Sequence, residues 1–208
     1  MKRKLDVLLL ALVVLFASDS LQAQDNILFL NGKSELGKLI EIDSISVRFE
    51  RLKKGKKKIM DYQKHKVFSV QMGNGDKTFV YAPDSLETEI LTIEEMELFV
   101  LGQQEARKGF KAPLAFFEGF FCGVVCGYFG NAYMFYTPVP LVANSLLIGK
   151  FKTKVNVEQV LNPNYFKKET YLAGYTEQAG FRKMQSVTIG SILGLTTGFA
   201  LFLAIPTP

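Results

Sequence analysis

Tryptophan is absent from this 208-residue chain, histidine occurs once and cysteine twice. The single His65 stands between Lys64 and Lys66, which suits a solvated surface residue better than a base or a ligand. Cys122 and Cys126 lie one helical turn apart inside an apolar segment. They leave the polar part of the chain without a disulfide framework. No further ligand is visible around them, so they read as small packing groups. No Gly-x-Ser-x-Gly, His-Glu-x-x-His, phosphate-loop or dinucleotide pattern occurs. Gly73-Asn74-Gly75 is a turn without the helix a phosphate loop needs, and Asp61 and Asp76 stand alone. The expectation is a chain that is not an enzyme, with no cofactor and no metal. A net charge of +5 and a pI near 9.1 are too modest for nucleic acid as a partner and suit contact with membrane lipid.

The chain does have long apolar stretches and a regular use of small residues. One ladder is Ala115, Gly119, Gly123 and Gly127; the other is Ser186, Gly190, Gly194 and Gly198. A spacing of four places each ladder on one face of a helix, and in membrane helices such stripes let two backbones approach closely. These eight are the candidate helix-packing residues. A shift of 71 residues superposes the ladders and also carries Gly109-Phe110-Lys111 onto Gly180-Phe181-Arg182. The reading is an internal structural repeat; the plainer alternative is two ordinary membrane helices that both need small residues where they touch.

Residues 1–23 read as a secretory signal peptide, with Lys2, Arg3 and Lys4 before the apolar run from Val7 to Ala17. Cleavage after Ala23 is expected, with an uncleaved anchor as the alternative. It removes three cations and two acids and leaves +4.

Residues 25–82 read as a small antiparallel β domain, a meander or barrel. Strand signals are Ile27 to Leu30, stopped by Asn31-Gly32; Leu39 to Ile42; Ile45, Val47 and Phe49 in alternation; Phe68, Val70 and Met72 in alternation; and Thr78 to Tyr81. Arg51, Lys53, Lys54, Lys56, Lys57 and Lys58 form the dense charge run. They are candidates for contact with an anionic envelope surface, against the alternative of a solvated turn whose lysines guard sheet edges.

Thr92-Ile93-Glu94-Glu95 is a capping box that opens an amphipathic helix over 92–110. A first transmembrane segment follows over 112–136, with Pro113 in its first turn. Glu118 is its only acid, hence a candidate functional acid, although its place near the segment start also suits an interfacial residue. Tyr128, Asn131, Tyr133 and Tyr136 mark the opposite water boundary. Residues 137–149 read as a re-entrant or interfacial apolar piece, with a second span over 132–149 as the alternative. The polar loop or helix over 150–185 carries seven basic residues against three acids. The last transmembrane segment is 187–205, nineteen uncharged residues. With two spans the basic loop is cytoplasmic and the N-terminal domain periplasmic; with three, the loop faces outward. Glycine every fourth residue is not the alternation of outer-membrane barrel strands.

Asn31-Gly32 after the first strand, Lys64-x-x-Val67-x-x-Val70, Gly102 with Gln103-Gln104-Glu105-Ala106, and Tyr171-x-x-Gly174-Tyr175 before the last span give a layout that resembles uncharacterised bacterial envelope proteins. These have a signal peptide, a small β module and glycine-rich, glycine-zipper-like membrane helices. The resemblance implies no activity and no catalytic residue. The first half is also similar in strand pattern to SH3- or Sm-type barrels, an analogy of fold alone.

The expected fold is therefore α+β: a small β meander or barrel, SH3-like in one form, followed by a helix and a glycine-zipper transmembrane helical hairpin. The expected role is a membrane-anchored envelope protein of the inner membrane whose periplasmic β domain binds another envelope protein. The alternative is a homo-oligomeric pore or transport accessory built from the ladders, with Glu118 or the proline-broken stretch lining it. Against it, polar residues within the spans are few, among them Glu118, Thr188, Thr196 and Thr197. A soluble form with the apolar helices as its core is disfavoured by the length of the uncharged stretches.

Overall fold

The computed structural model describes residues 24–53, 56–83, 91–129, 138–150, 153, 155 and 163–205. The expected signal peptide, Lys54, and the expected boundary residues Asn131, Tyr133 and Tyr136 lie outside the described residues. Among the described residues the architecture is α+β: a six-stranded antiparallel sheet followed by four helices. It divides into two compact units, the sheet up to Asp84 and the helices from Ser85.

The strands are β1 Asp25–Phe29, β2 Ser34–Ile42, β3 Ser46–Lys53, β4 Lys56–Gln63, β5 Val67–Gln71 and β6 Lys77–Phe79. Their order across the sheet is β4-β3-β2-β1-β5-β6. Asn31-Gly32 makes the β1–β2 turn: Gly32 takes a positive φ of 70°, and the Asn31 side chain accepts from the Lys33 amide at 3.0 Å. Ile45 does not belong to the buried alternation. It sits in the turn before β3, 77% exposed, while Val47 and Phe49 are fully buried. β4 was not anticipated, because its three leading lysines read as a turn although they pair in register with β3.

Ile27, Phe29, Val47, Phe49, Val67, Val70 and Val80 form the core of this unit. The sheet curls strongly. Tyr62 on the edge strand β4 reaches Phe29 on β1, two strands past its neighbour, at a ring separation of 4.9 Å. The Asp25 carboxylate ties the sheet end together, accepting from the amides of Leu39 at 2.7 Å and Gly73 at 2.8 Å. The first of these lies at the irregularity between Leu39 and Glu41 in the β2–β3 register, where a displaced amide needs an acceptor.

The helices are α1 Ile93–Gly109, α2 Pro113–Phe129, α3 Pro138–Lys150 and α4 Glu169–Ala204. The capping box forms at the start of α1: Thr92 Oγ1 accepts from the Glu95 amide at 3.3 Å, and Glu95 Oε2 accepts from the Thr92 amide at 2.9 Å. A break at residues 110–112 bends α2 by 63° from α1, with Pro113 as the first helical residue of α2. The polar stretch before the last apolar segment and that segment itself are one continuous helix, α4, of 36 residues. It is the helix among the described residues that is long and apolar enough by itself to cross a membrane.

Candidate functional site

All four positions of the first ladder, Ala115, Gly119, Gly123 and Gly127, are buried on α2. On α4, Gly190, Gly194 and Gly198 are buried. A Cβ at Gly119 would collide with the carbonyl of Val187, one at Gly123 with that of Ser191, and one at Gly127 with that of Leu195. Reciprocally, Gly190, Gly194 and Gly198 face the carbonyls of Phe116, Phe120 and Val124. Each glycine therefore meets the carbonyl three residues before its mate in the repeat. The contact is backbone on backbone, the geometry in which Cα–H groups lie against carbonyl oxygens.

These pairs rise together along both helices, so α2 and α4 run parallel. The same holds above the break. Gly102 on α1 meets the Tyr171 carbonyl and Gly174 meets that of Phe99. Mates are separated by 72 residues there and by 71 in the ladders, and the break at 110–112 absorbs the difference. The expected hairpin is thus corrected: neighbouring antiparallel helices would pair early residues of one with late residues of the other.

The stretch expected as re-entrant or interfacial forms α3, whose C-terminal end lies beside the start of α2 and the middle of α4. Ile148 packs with Ala115 and Val187, and Gly149 lies against Met184. Leu141, Ser145 and Ile148 make its buried stripe, and its neighbours are α4 and α2. Going back along α3 from Gly149 to Ile148 moves forward along α4 from Gly180 and Met184 to Val187, so α3 runs antiparallel to α4 and α2.

Ser186 departs from its ladder. It is half-buried and its hydroxyl donates to the carbonyl of Arg182 on its own helix at 3.0 Å. Fully buried Val187 and nearly buried Ser191 occupy the interface instead. Spacing alone could not separate these neighbours, because a helix face is wider than one residue. Glu118 is exposed, off the α4 contact, on the same outer side as Leu114, Phe117 and Phe121. Cys122 and Cys126 flank the ladder as half-buried free thiols.

A polar cluster joins α1 to α4. The Tyr171 hydroxyl donates to Glu105 Oε2 at 2.6 Å, both residues being buried. Burial and that hydrogen bond push the phenol well above its ordinary pKa. Arg107 donates to Gln178 Oε1 at 3.0 Å, and Arg182 donates to the carbonyl of Arg107. Burial, with the Arg182 charge beside it, lowers the Arg107 pKa. Glu105 and Tyr171 stand in two of the quoted motifs, but nothing in the sequence pairs them, since they come from helices joined through two others.

In the β unit the described candidate cations lie on β3 and β4. Arg51 turns onto the buried Glu35 carboxylate at 3.3 Å, which also accepts from Lys33 at 2.5 Å and Tyr62 at 2.6 Å. Burial alone would raise Glu35. The hydrogen bonds from Lys33 and Tyr62 and the charges of Lys33 and Arg51 outweigh it and hold the carboxyl below its usual value. Burial and the Glu35 contact raise Tyr62 to about 12. Lys57 pairs with Glu50 at 3.4 Å, Lys56 and Lys58 are exposed, and Lys53 ends β3 opposite Lys56. Beside this network lies a surface groove of about 460 Å³ between Phe29, Asn31, Lys33, Tyr62, His65 and Lys66. His65 sits there in an exposed 3-10 turn. No cluster of three or more His, Cys, Asp or Glu side chains suited to a metal occurs among the described residues. No protein-family model, curated protein or solved structure matches the chain.

Proposed function

We propose that the helical unit is a membrane-embedded glycine-zipper bundle and that the protein is a non-enzymatic module of the bacterial cell envelope. The observation that carries this reading is the outer surface of the bundle. Leu114 is 85% exposed, Phe129 74% and Leu203 69%, beside Phe121, Val125, Leu146 and Ile192. Contiguous apolar surface of this kind on α2, α3 and α4 needs a cover, and lipid chains fit the uncharged stretches. The inward faces are spent on small residues, as packing between membrane helices favours.

The parallel α2–α4 pair carries a topology. If both helices cross the bilayer, the chain recrosses between them. The start of α2 and the middle of α4 then share one side. The arrangement supports three crossings rather than two, with the basic 150–185 stretch on the side of α1. A signal peptide over 1–23 would place that side, and the β unit, in the periplasm. The curled β sheet would be an SH3-like barrel that binds another envelope protein, and the resemblance to uncharacterised envelope proteins is part of this proposal. The pore alternative needs the ladders between subunits; within one chain they already occupy each other.

Cysteine mapping tests the topology. In a Cys122→Ala, Cys126→Ala background, Lys111→Cys and Glu177→Cys should both react with an impermeant maleimide from the same side of intact membrane vesicles. Labelling from opposite sides would overturn the three-crossing arrangement. Complete release of the protein by alkaline carbonate would overturn embedding itself.

A further inference from the structure

The parallel packing gathers cations that lie far apart in the chain. Lys111 lies two residues before Pro113 where α2 begins, Lys150 ends α3, and Arg182 and Lys183 stand in the middle of α4. Three contacts put them at one level. Ile148 packs on Ala115 and Val187, Gly149 lies between Gly180 and Met184, and Arg182 reaches the Arg107 carbonyl just before the helix break. Lys111 and Lys150 are exposed and Lys183 is half-exposed. None of the three lysines pairs with a carboxylate among the described residues. Towards α1 the surface is polar; in the other direction it is the apolar face of Leu114, Phe117, Phe121, Ile189 and Ile192. Along the described parts of α2 and α4 the first acids met from the collar are Glu118, seven residues after Lys111, and Glu177, six residues before Lys183. Neither neutralises the collar.

We infer that this collar, Lys111, Lys150 and Lys183 with Arg182 behind them, seats the headgroups of acidic phospholipids and fixes the depth and tilt of the bundle. The inference rests on the membrane reading above and names its lipid partner. Lysines at the rim of an apolar helix bundle extend their chains along the apolar surface and place the ammonium at the phosphate level. Near an acidic leaflet each contributes attraction that decays within a Debye length. Arg182 is held by its hydrogen bond to the Arg107 carbonyl, so the three lysines do the lipid contact.

The absence of tryptophan makes a clean test. Phe181→Trp, at a 45% exposed position beside the collar, serves as a fluorescence donor in mixed phosphatidylcholine–phosphatidylglycerol vesicles. Transfer to dansyl-phosphatidylglycerol should exceed transfer to dansyl-phosphatidylcholine. Adding Lys111→Gln, Lys150→Gln and Lys183→Gln should lower that ratio by about threefold or more. Equal transfer to the two lipids, or an excess that survives the three substitutions, overturns the collar. Phe121→Trp, 66% exposed on α2, reports separately on embedding through quenching by brominated acyl chains. Quenching without headgroup preference removes the collar alone, whereas no quenching removes the membrane reading and the collar with it.

Discussion

The two units use glycine and bulk in opposite ways. In the β unit, large side chains fill the interior: Phe49, Ile27 and Val47 are fully buried, and glycine serves chiefly in turns such as Gly32 and Gly75, both at positive φ. In the helical unit the interior between α2 and α4 is nearly without side chains, and Phe117, Phe121 and Phe129 point outward. A sheet holds its strands by backbone hydrogen bonds, so side chains are left to exclude water. A helix has spent its backbone bonds on itself, and two helices touch backbone to backbone only where the side chain is reduced to hydrogen. The comparison teaches that side chains fill the core of the β unit, whereas α2 and α4 meet through their backbones.

The largest expected effect separates the two. Gly123→Leu or Gly194→Leu should abolish α2–α4 pairing, because the new side chain points into partner backbone closer than 3.0 Å. The helical unit should lose its cooperative thermal transition in detergent while the β unit keeps its transition. Leucine mutants as stable as the parent would break the comparison.

Phe49→Ala should do the reverse. Removing a fully buried ring costs about 3–5 kcal/mol and should unfold or strongly destabilise the β unit in a denaturant titration without affecting helix pairing.

The two tyrosine–carboxylate bonds sharpen the contrast. Tyr62→Phe and Tyr171→Phe each remove a 2.6 Å hydrogen bond to a buried carboxylate, a loss of about 1.5–3 kcal/mol. The first should appear only in the β transition and the second only in the helical one. Glu35 adds a pH signature. Its folded pKa is depressed, so its contribution is present above the ordinary carboxylate pKa and is lost as pH falls through the depressed value. Tyr62 acts at the other end: its contribution is full below about 10 and is lost as pH rises through about 12. Thermal melts of the parent should show both limbs, and Glu35→Gln should flatten the acid one.

The smallest effect is at the α1 cap. Thr92→Ala removes the side-chain acceptor for the Glu95 amide, costing about 1 kcal/mol. Faster amide exchange confined to the first turn of α1 would agree with this; a shift of the whole helical transition would not.

Local features were the legible ones. The Asn31-Gly32 turn, the Thr92 capping box and the helix start at Pro113 depend on neighbours in sequence, and each stands where the residues placed it. β4 was hidden because its lysines carry no apolar alternation; their register is set by β3 across the hairpin. The pairings in the Glu35 and Glu105 networks were hidden, although Glu105 and Tyr171 stand in quoted motifs, since their members meet only after the sheet curls and the helices pack. Within the ladders, Ser186 matched the spacing but Val187 and Ser191 hold the interface.

The sequence by itself determined that two helices carry small residues at every fourth position, because that spacing is a property of one helix and needs no partner. Only the tertiary structure decided their direction. A stripe of glycines looks the same to a parallel and an antiparallel neighbour, so the ladders are blind to orientation. Gly109-Phe110-Lys111 and Gly180-Phe181-Arg182 both precede their ladders, a hint that the two helices start from one side. The first ends a helix and the second lies inside one, and it took the packed backbones to show them at the same level.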